Sequence, residues 1–190
     1  MEHGSLTLTE LNKVDSKSAG LFFRRCCTSS KWAEQMVTGR PYKDRSHLRD
    51  YADYCWGLLS ERDYLEAFDG HPKIGDIKSL KNKFNGSQDI ARNEQSSVAE
   101  ANIETLESLS IGNAEYEKKF GFIFIVFASG KSAEEMLNIL EDRIENSRSE
   151  EIATAAEEQR LIFQLRLRNL LGARSPRTYL MSPEVLLLLG

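Results

Sequence analysis

The stretch SEEIATAAEEQRLIFQLRLRNLLG, residues 149–172, decides the fold class. Its apolar residues recur every three or four positions, the period of a helix, not the period of two of a half-buried strand. No proline interrupts it, and Gly172 stands where a helix commonly stops. The inward stripe runs Ile152, Ala155, Ala156, Gln159, Ile162, Phe163, Arg166 and Leu170, while Arg160 and Arg168 fall on the solvated side. Arg166 therefore sits among apolar neighbours. Its planar guanidinium either binds a carbonyl or carboxylate in bidentate fashion, or it packs its stem and keeps its head in water. Spacing alone leaves both readings open.

Working outward, the same period returns. SAEEMLNILEDRIENS opens with the capping box Ser132-x-x-Glu135 and buries Met136, Leu137, Leu140 and Ile144. In the segment beginning at Ser87, Ile90, Ala91, Val98, Ala101, Leu106 and Leu109 share one face. SHLRDYADYCWGLLSERDYLEAFDG carries Leu48, Tyr51, Ala52, Cys55, Leu58 and Leu59 at helical spacing and stops at Gly70. The N-terminal part starts with a Thr7-x-x-Glu10 capping box and predicts short helices ending near Gly39-Arg40-Pro41. One segment dissents. FGFIFIVFAS, residues 120–129, has the composition of a buried strand, but a lone strand cannot satisfy its own backbone. It reads as a buried loop leading into a helix. The expectation is an all-α fold: one compact helical domain over 1–172, followed by an atypical tail, 173–190, that is poorly ordered or weakly packed.

The chain has 190 residues, enough for one domain with a real core. A net charge of -4 weighs against nucleic acid as a partner. The longest apolar runs are too short to span a bilayer, so no stable membrane insertion is expected. No signal-like N-terminus is present. Cys26, Cys27 and Cys55 show no ligand-type spacing and read as reduced thiols in an intracellular protein. G-x-S-x-G, P-loop and G-x-G-x-x-G motifs do not occur, so any chemistry here is expected to need no metal and no organic cofactor.

Two further polar residues interrupt the pattern. Glu94 lies four residues after Ile90 and four before Val98, so it shares their inward stripe unless that face is rotated by one position. His71 stands between Gly70 and Pro72, a setting that stiffens its backbone. Such a histidine either presents its ring into a cleft for proton transfer or is an ordinary turn residue.

Taken in order, GHPKIG, NEQSS, YEKKFGFIFIVFASGKSAEEM and EEQRLIFQLRLRNLL, with the Trp32 and Arg40-Pro41 region upstream, resemble the 2-oxo-4-hydroxy-4-carboxy-5-ureidoimidazoline (OHCU) decarboxylases. The likeness covers residues 10–172, and it is strongest to the decarboxylase half of plant allantoin synthase. It implies a helical fold, a homodimer, and cofactor-independent conversion of OHCU to (S)-allantoin in urate degradation. It also implies His71, Glu94 and Arg166 as catalytic residues. The substrate-binding set it implies is Pro72, Ala91, Arg92, Asn93, Glu94, Gln95, Phe124, Ile125, Val126, Phe127, Ala128 and Arg166. One departure is Ala91, where the family often has serine, which removes a hydroxyl contact with substrate.

The rival reading is a catalytically impaired helical scaffold or interaction protein, favoured by Ala91 and by the unusual tail. The chain stops soon after Gly172, so the hydroxyisourate hydrolase half of the bifunctional enzymes is not expected. The resemblance implies a peroxisome, yet the C-terminal LLLLG is no peroxisomal address, and a cytoplasmic home stands beside it. RPYKDRSHL echoes the other peroxisomal signal, but proline replaces its aliphatic residue and the reading here is coincidence.

Overall fold

Side-chain caps decide where the helices begin. Thr7 and Glu10 form a reciprocal capping box at α1, Leu8–Lys13. Asp15 accepts from the Ser18 N–H at α2, Ser16–Cys26, and Ser29 from the Trp32 N–H at α3, Ser30–Thr38. Asp44 caps α4, Arg45–Gly57, accepting from the His47 N–H at 2.8 Å. α5 follows at Glu61–Asp69, then α6 at Gln95–Phe120, α7 at Ala133–Ile144 and α8 at Arg148–Leu170. The capping box of Ser132 with Glu135 starts α7, as the sequence predicts. The computed structural model describes residues 6–71 and 95–172, with backbone alone for 95–102. Among these residues there is no strand, so the all-α expectation holds.

The run 46–70 departs from its sequence reading. It is two helices, α4 and α5, because Ser60 offers a second start: the Asp63 carboxylate accepts from the Ser60 N–H at 2.8 Å and from its hydroxyl at 2.7 Å. The break displaces Leu58 from the core, leaving it 51% exposed. Leu48, Ala52 and Cys55 are buried as predicted, and Tyr51 is half-buried. The tail 173–190, and the side chains of Ile90, Ala91, Val98 and Ala101, lie outside the described residues.

The chain divides into two compact units, one up to Gly70 together with the chain from Ala156, the other from His71 to Ala155. In the first, α3 packs against α2, α4 and α5. Its centre is aromatic. The Phe163 ring lies 4.9 Å from Trp32 and 5.3 Å from Trp56, centroid to centroid, and Phe23 meets Trp32 edge-on at 6.1 Å. Both indoles find acceptors, Trp32 donating to the Ala52 carbonyl and Trp56 to the Ala156 carbonyl, each at 3.1 Å.

In the second unit α6 packs along α7. Gly121, at φ 80°, ends α6 in a conformation that side-chain-bearing residues avoid, and turns the chain into the apolar run after it. Tyr116, Phe120, Phe122 and Phe124 then cluster, with Tyr116 at 4.6, 5.8 and 5.2 Å from the other three rings. The segment 122–128 is the buried, non-sheet loop that its sequence predicts: Phe122, Phe124, Ile125, Val126 and Ala128 are all buried.

Truncating Phe163 removes a ring that both tryptophans touch. Phe163→Ala should cost about 3–5 kcal/mol in urea denaturation, whereas Leu58→Ala, at an exposed position, should stay within about 0.5 kcal/mol of wild type.

Candidate active site

His71 is delivered by the end of α5. Gly70 is the C-cap of that helix. A Cβ there would come within 2.1 Å of the Thr28 hydroxyl, so only glycine fits. Thr28 in turn donates to the carbonyls of Glu66 and Ala67 at 3.1 and 3.2 Å, fixing the last turn of α5. The next residue, His71, is 7% exposed. A turn histidine of no consequence would ordinarily face water; this one is buried.

Arg166 lies on the second half of α8, half-buried. Its Nη1 donates to the Cys26 carbonyl at 3.1 Å. Burial pulls its pKa below the ordinary arginine value. The arrangement is neither simple snorkelling nor full commitment to the protein, because this bond engages one of five N–H donors. Around it the inward stripe drifts: Leu167 and Leu171 are buried, while Leu170, which the sequence places inward, is half-buried. Cys26 and Cys27, beside this arginine, are buried, and burial pushes both thiols up to about 12. Protonated and sheltered, they are not nucleophiles.

The segment 124–128 is held from one side by α7 and the start of α8. Arg143 on α7 is 7% exposed and Glu151 on α8 is fully buried. Arg143 Nε donates to Glu151 Oε1 at 2.9 Å, and Nη2 pairs with the same oxygen. The Tyr116 hydroxyl also donates to Glu151 Oε1, and Asn146 donates to Oε2 at 2.7 Å. Burial, reinforced by that carboxylate, raises the Tyr116 pKa, so the phenol keeps its proton and remains a donor. The remaining arm of the guanidinium, Nη1, donates to the Ile125 carbonyl at 2.8 Å, and the group lies over the Phe124 ring, 4.7 Å from its centroid. Two residues on, Lys131 Nζ donates to the Phe127 carbonyl at 2.6 Å and the Lys131 N–H to the Ala128 carbonyl at 3.2 Å.

The sequence reading missed this cluster. It assigned Ile144 to the inner face of α7, yet Ile144 is half-buried and Arg143 takes the interior. The available signal was a matched pair: Arg143 follows Leu140 by three residues, and Glu151 precedes Ala155 by four and Gln159 by eight, so both fall on inward stripes with opposite charge. Of the other predicted site residues, Pro72, Ala91, Arg92, Asn93 and Glu94 lie outside the described residues, and Gln95 is described only as the first backbone position of α6. His71 and Arg166 belong to different units and are each placed within their own surroundings. Among the described residues, no group of three His, Cys, Asp or Glu side chains is arranged to hold a metal, and no helix is long and apolar enough to cross a membrane.

Comparison with known proteins places these features in a family context. The family model described as OHCU decarboxylase matches residues 12–168. The chain is 35% identical over 150 residues to the "Uric acid degradation bifunctional protein TTL" of Arabidopsis thaliana, covering 79% of this chain and 46% of that protein. It thus spans about half the length of that relative. It is 28% identical over 163 residues to a 2-oxo-4-hydroxy-4-carboxy-5-ureidoimidazoline decarboxylase of Haloferax volcanii, covering 85% of this chain and 94% of the relative. A crystal structure of OHCU decarboxylase in the presence of (S)-allantoin superimposes with a TM-score of 0.65 at 33% identity, covering 83% of this chain and 99% of that one.

The buried thiols give a direct check on the surroundings of Arg166. Native protein at pH 8 should react only slowly with a thiol reagent at Cys26 and Cys27, and fully once unfolded in guanidinium. Their raised pKa also means that the unfolded chain releases these protons first as pH rises. Stability contributed by the two thiols is therefore complete below about pH 9 and should fall as pH climbs from 9 towards 12, read as a declining Tm.

Proposed function

The chain belongs to the OHCU decarboxylase family, and we propose that it converts OHCU to (S)-allantoin in urate degradation. The observation that carries this reading is the family match over residues 12–168, a span that contains His71, Glu94, the segment 124–128 and Arg166.

The chemistry sets modest demands. The bond from the ring carbon to its carboxylate breaks, carbon dioxide leaves, and the electron pair flows into the adjacent imine of the ring, whose nitrogen takes a proton. The hydroxyl on that carbon gives up its proton as a carbonyl forms. The neighbouring carbon, which bears the ureido group, then takes a proton on one face only. The ring itself absorbs the electrons, so the protein must bind, orient and protonate.

In this reading His71 and Glu94 orient the substrate hydroxyl and carry its proton. Its 7% exposure supports the role, since a ring shielded from water competes little with bulk solvent for that proton. Arg166 and backbone N–H groups of 124–128 meet the oxygen atoms that gain charge. Pro72 fixes His71, and Ala91, Arg92, Asn93 and Gln95 complete the grip on the ureido end. The family likeness also supports a homodimer. It supports a peroxisomal or cytoplasmic location, which imaging of a tagged chain separates.

Generating OHCU in situ and following optical rotation tests the activity. The enzyme should give an excess of (S)-allantoin; a scaffold without catalysis would leave the slow racemic product. His71→Ala should lower the decarboxylation rate by about a hundred-fold or more, and a His71→Ala protein with undiminished stereospecific turnover would refute the assignment.

A further inference from the structure

Among the described residues, the proposed chemistry leaves a buried charged cluster unused. Arg143, Glu151, Tyr116 and Asn146 close on one another, and they reach the backbone of the run 124–128 through the bond from Arg143 Nη1 to the Ile125 carbonyl. We propose that Arg143 is a positioning residue for the decarboxylation: locked by Glu151 and Tyr116, it fixes the Ile125–Val126 peptide plane and so aims the Val126 N–H at the substrate. The inference rests on the activity proposed above.

A trans peptide is planar, and its C=O and N–H point in opposite directions. Drawing the Ile125 carbonyl towards Arg143 therefore drives the Val126 N–H the other way, away from α7. In a sheet, neighbouring strands would fix that plane, but 122–128 belongs to no sheet. The guanidinium supplies what a ladder would. Its edge carrying Nε and Nη2 is held on Glu151, and because the group is flat this determines where Nη1 points. The Phe124 ring, 4.7 Å from the guanidinium carbon, restrains its tilt. A lysine ammonium could hold the carboxylate but could not span to the carbonyl in a fixed direction. Two residues later Lys131 Nζ draws the Phe127 carbonyl, which orients the Ala128 N–H by the same logic. A purely structural clamp would need only the Arg143–Glu151 pair; the third arm on a loop carbonyl is what assigns a role in aiming an amide.

Loss of aim should appear in turnover more than in binding, because an amide donor matters most where charge develops. The test begins with the wild-type chain and OHCU generated in situ. Arg143→Lys, with helix content retained by circular dichroism, should lower kcat by at least about fivefold while KM stays within about threefold. Where Arg143→Lys fails to fold, Glu151→Gln is read in the same way, since it keeps the acceptor but loosens the lock. Independently of any variant, titrating 15N-labelled wild-type protein with (S)-allantoin should move the Val126 amide resonance. A folded variant that keeps more than one-fifth of the wild-type kcat, or a Val126 amide that stays still while neighbouring resonances shift, overturns this inference alone. A wild type yielding only racemic allantoin overturns the activity reading and this inference with it.

Discussion

Among the described residues of the second unit, the buried ion pair of Arg143 and Glu151 is the interaction that ties the elements together. A carboxylate as sheltered as that of Glu151 is tolerable only when each oxygen is met by a donor, and here Arg143, Tyr116 and Asn146 supply them. The pair joins α6, α7 and the start of α8 through side chains whose hydrogen bonds are directional. Apolar packing would hold the same helices but would tolerate sliding, because dispersion has little directional preference. The guanidinium fork tolerates much less. Its geometry is passed to a loop that has no ladder of its own, and a segment of strand-like composition is thereby kept in one shape among helices.

Much of the fold could be read from periodicity and caps. Thr7-x-x-Glu10 and Ser132-x-x-Glu135 mark real helix starts, and the stripe from Ile152 to Phe163 is buried as its spacing requires. The reading failed where a short-range signal competed with a long one. Ser60 and Asp63 formed a start within an apparently continuous pattern, and the periodic reading of 46–70 ran straight through it. It failed again at Arg143, because an arginine next to Ile144 is assigned outward by composition, although only a buried partner eight residues away makes the opposite choice favourable. Such a pairing is invisible to any single helix face. It lives on two.

The candidate site divides along the same line. His71 was singled out from its Gly-His-Pro setting, and the reason it sits where it does became visible only in the packing: Thr28, distant in sequence, leaves no room for a side chain at residue 70. Arg166 was found because it broke a stripe, and it is half-buried with one N–H on the Cys26 carbonyl. Both residues were legible as exceptions. Backbone groups are not exceptions in any sequence, so the role proposed for 124–128 comes from family likeness, and the contacts that orient the run became visible only in the structure.

A reaction whose electrons are absorbed by its own substrate asks a protein for rigidity more than for reactivity. The thiols near Arg166 are held protonated, and the buried carboxylate of Glu151 is fully engaged in orienting its neighbours. Nucleophiles of that kind would add little to a step in which the ring itself takes up the electrons released with carbon dioxide. Facial selectivity is different. It requires that the proton arrive from one side of a planar intermediate. In the proposed activity the helices serve as stiff anchors, and the side-chain-braced run 122–128 keeps amide donors that a helix would have spent on its own hydrogen bonds.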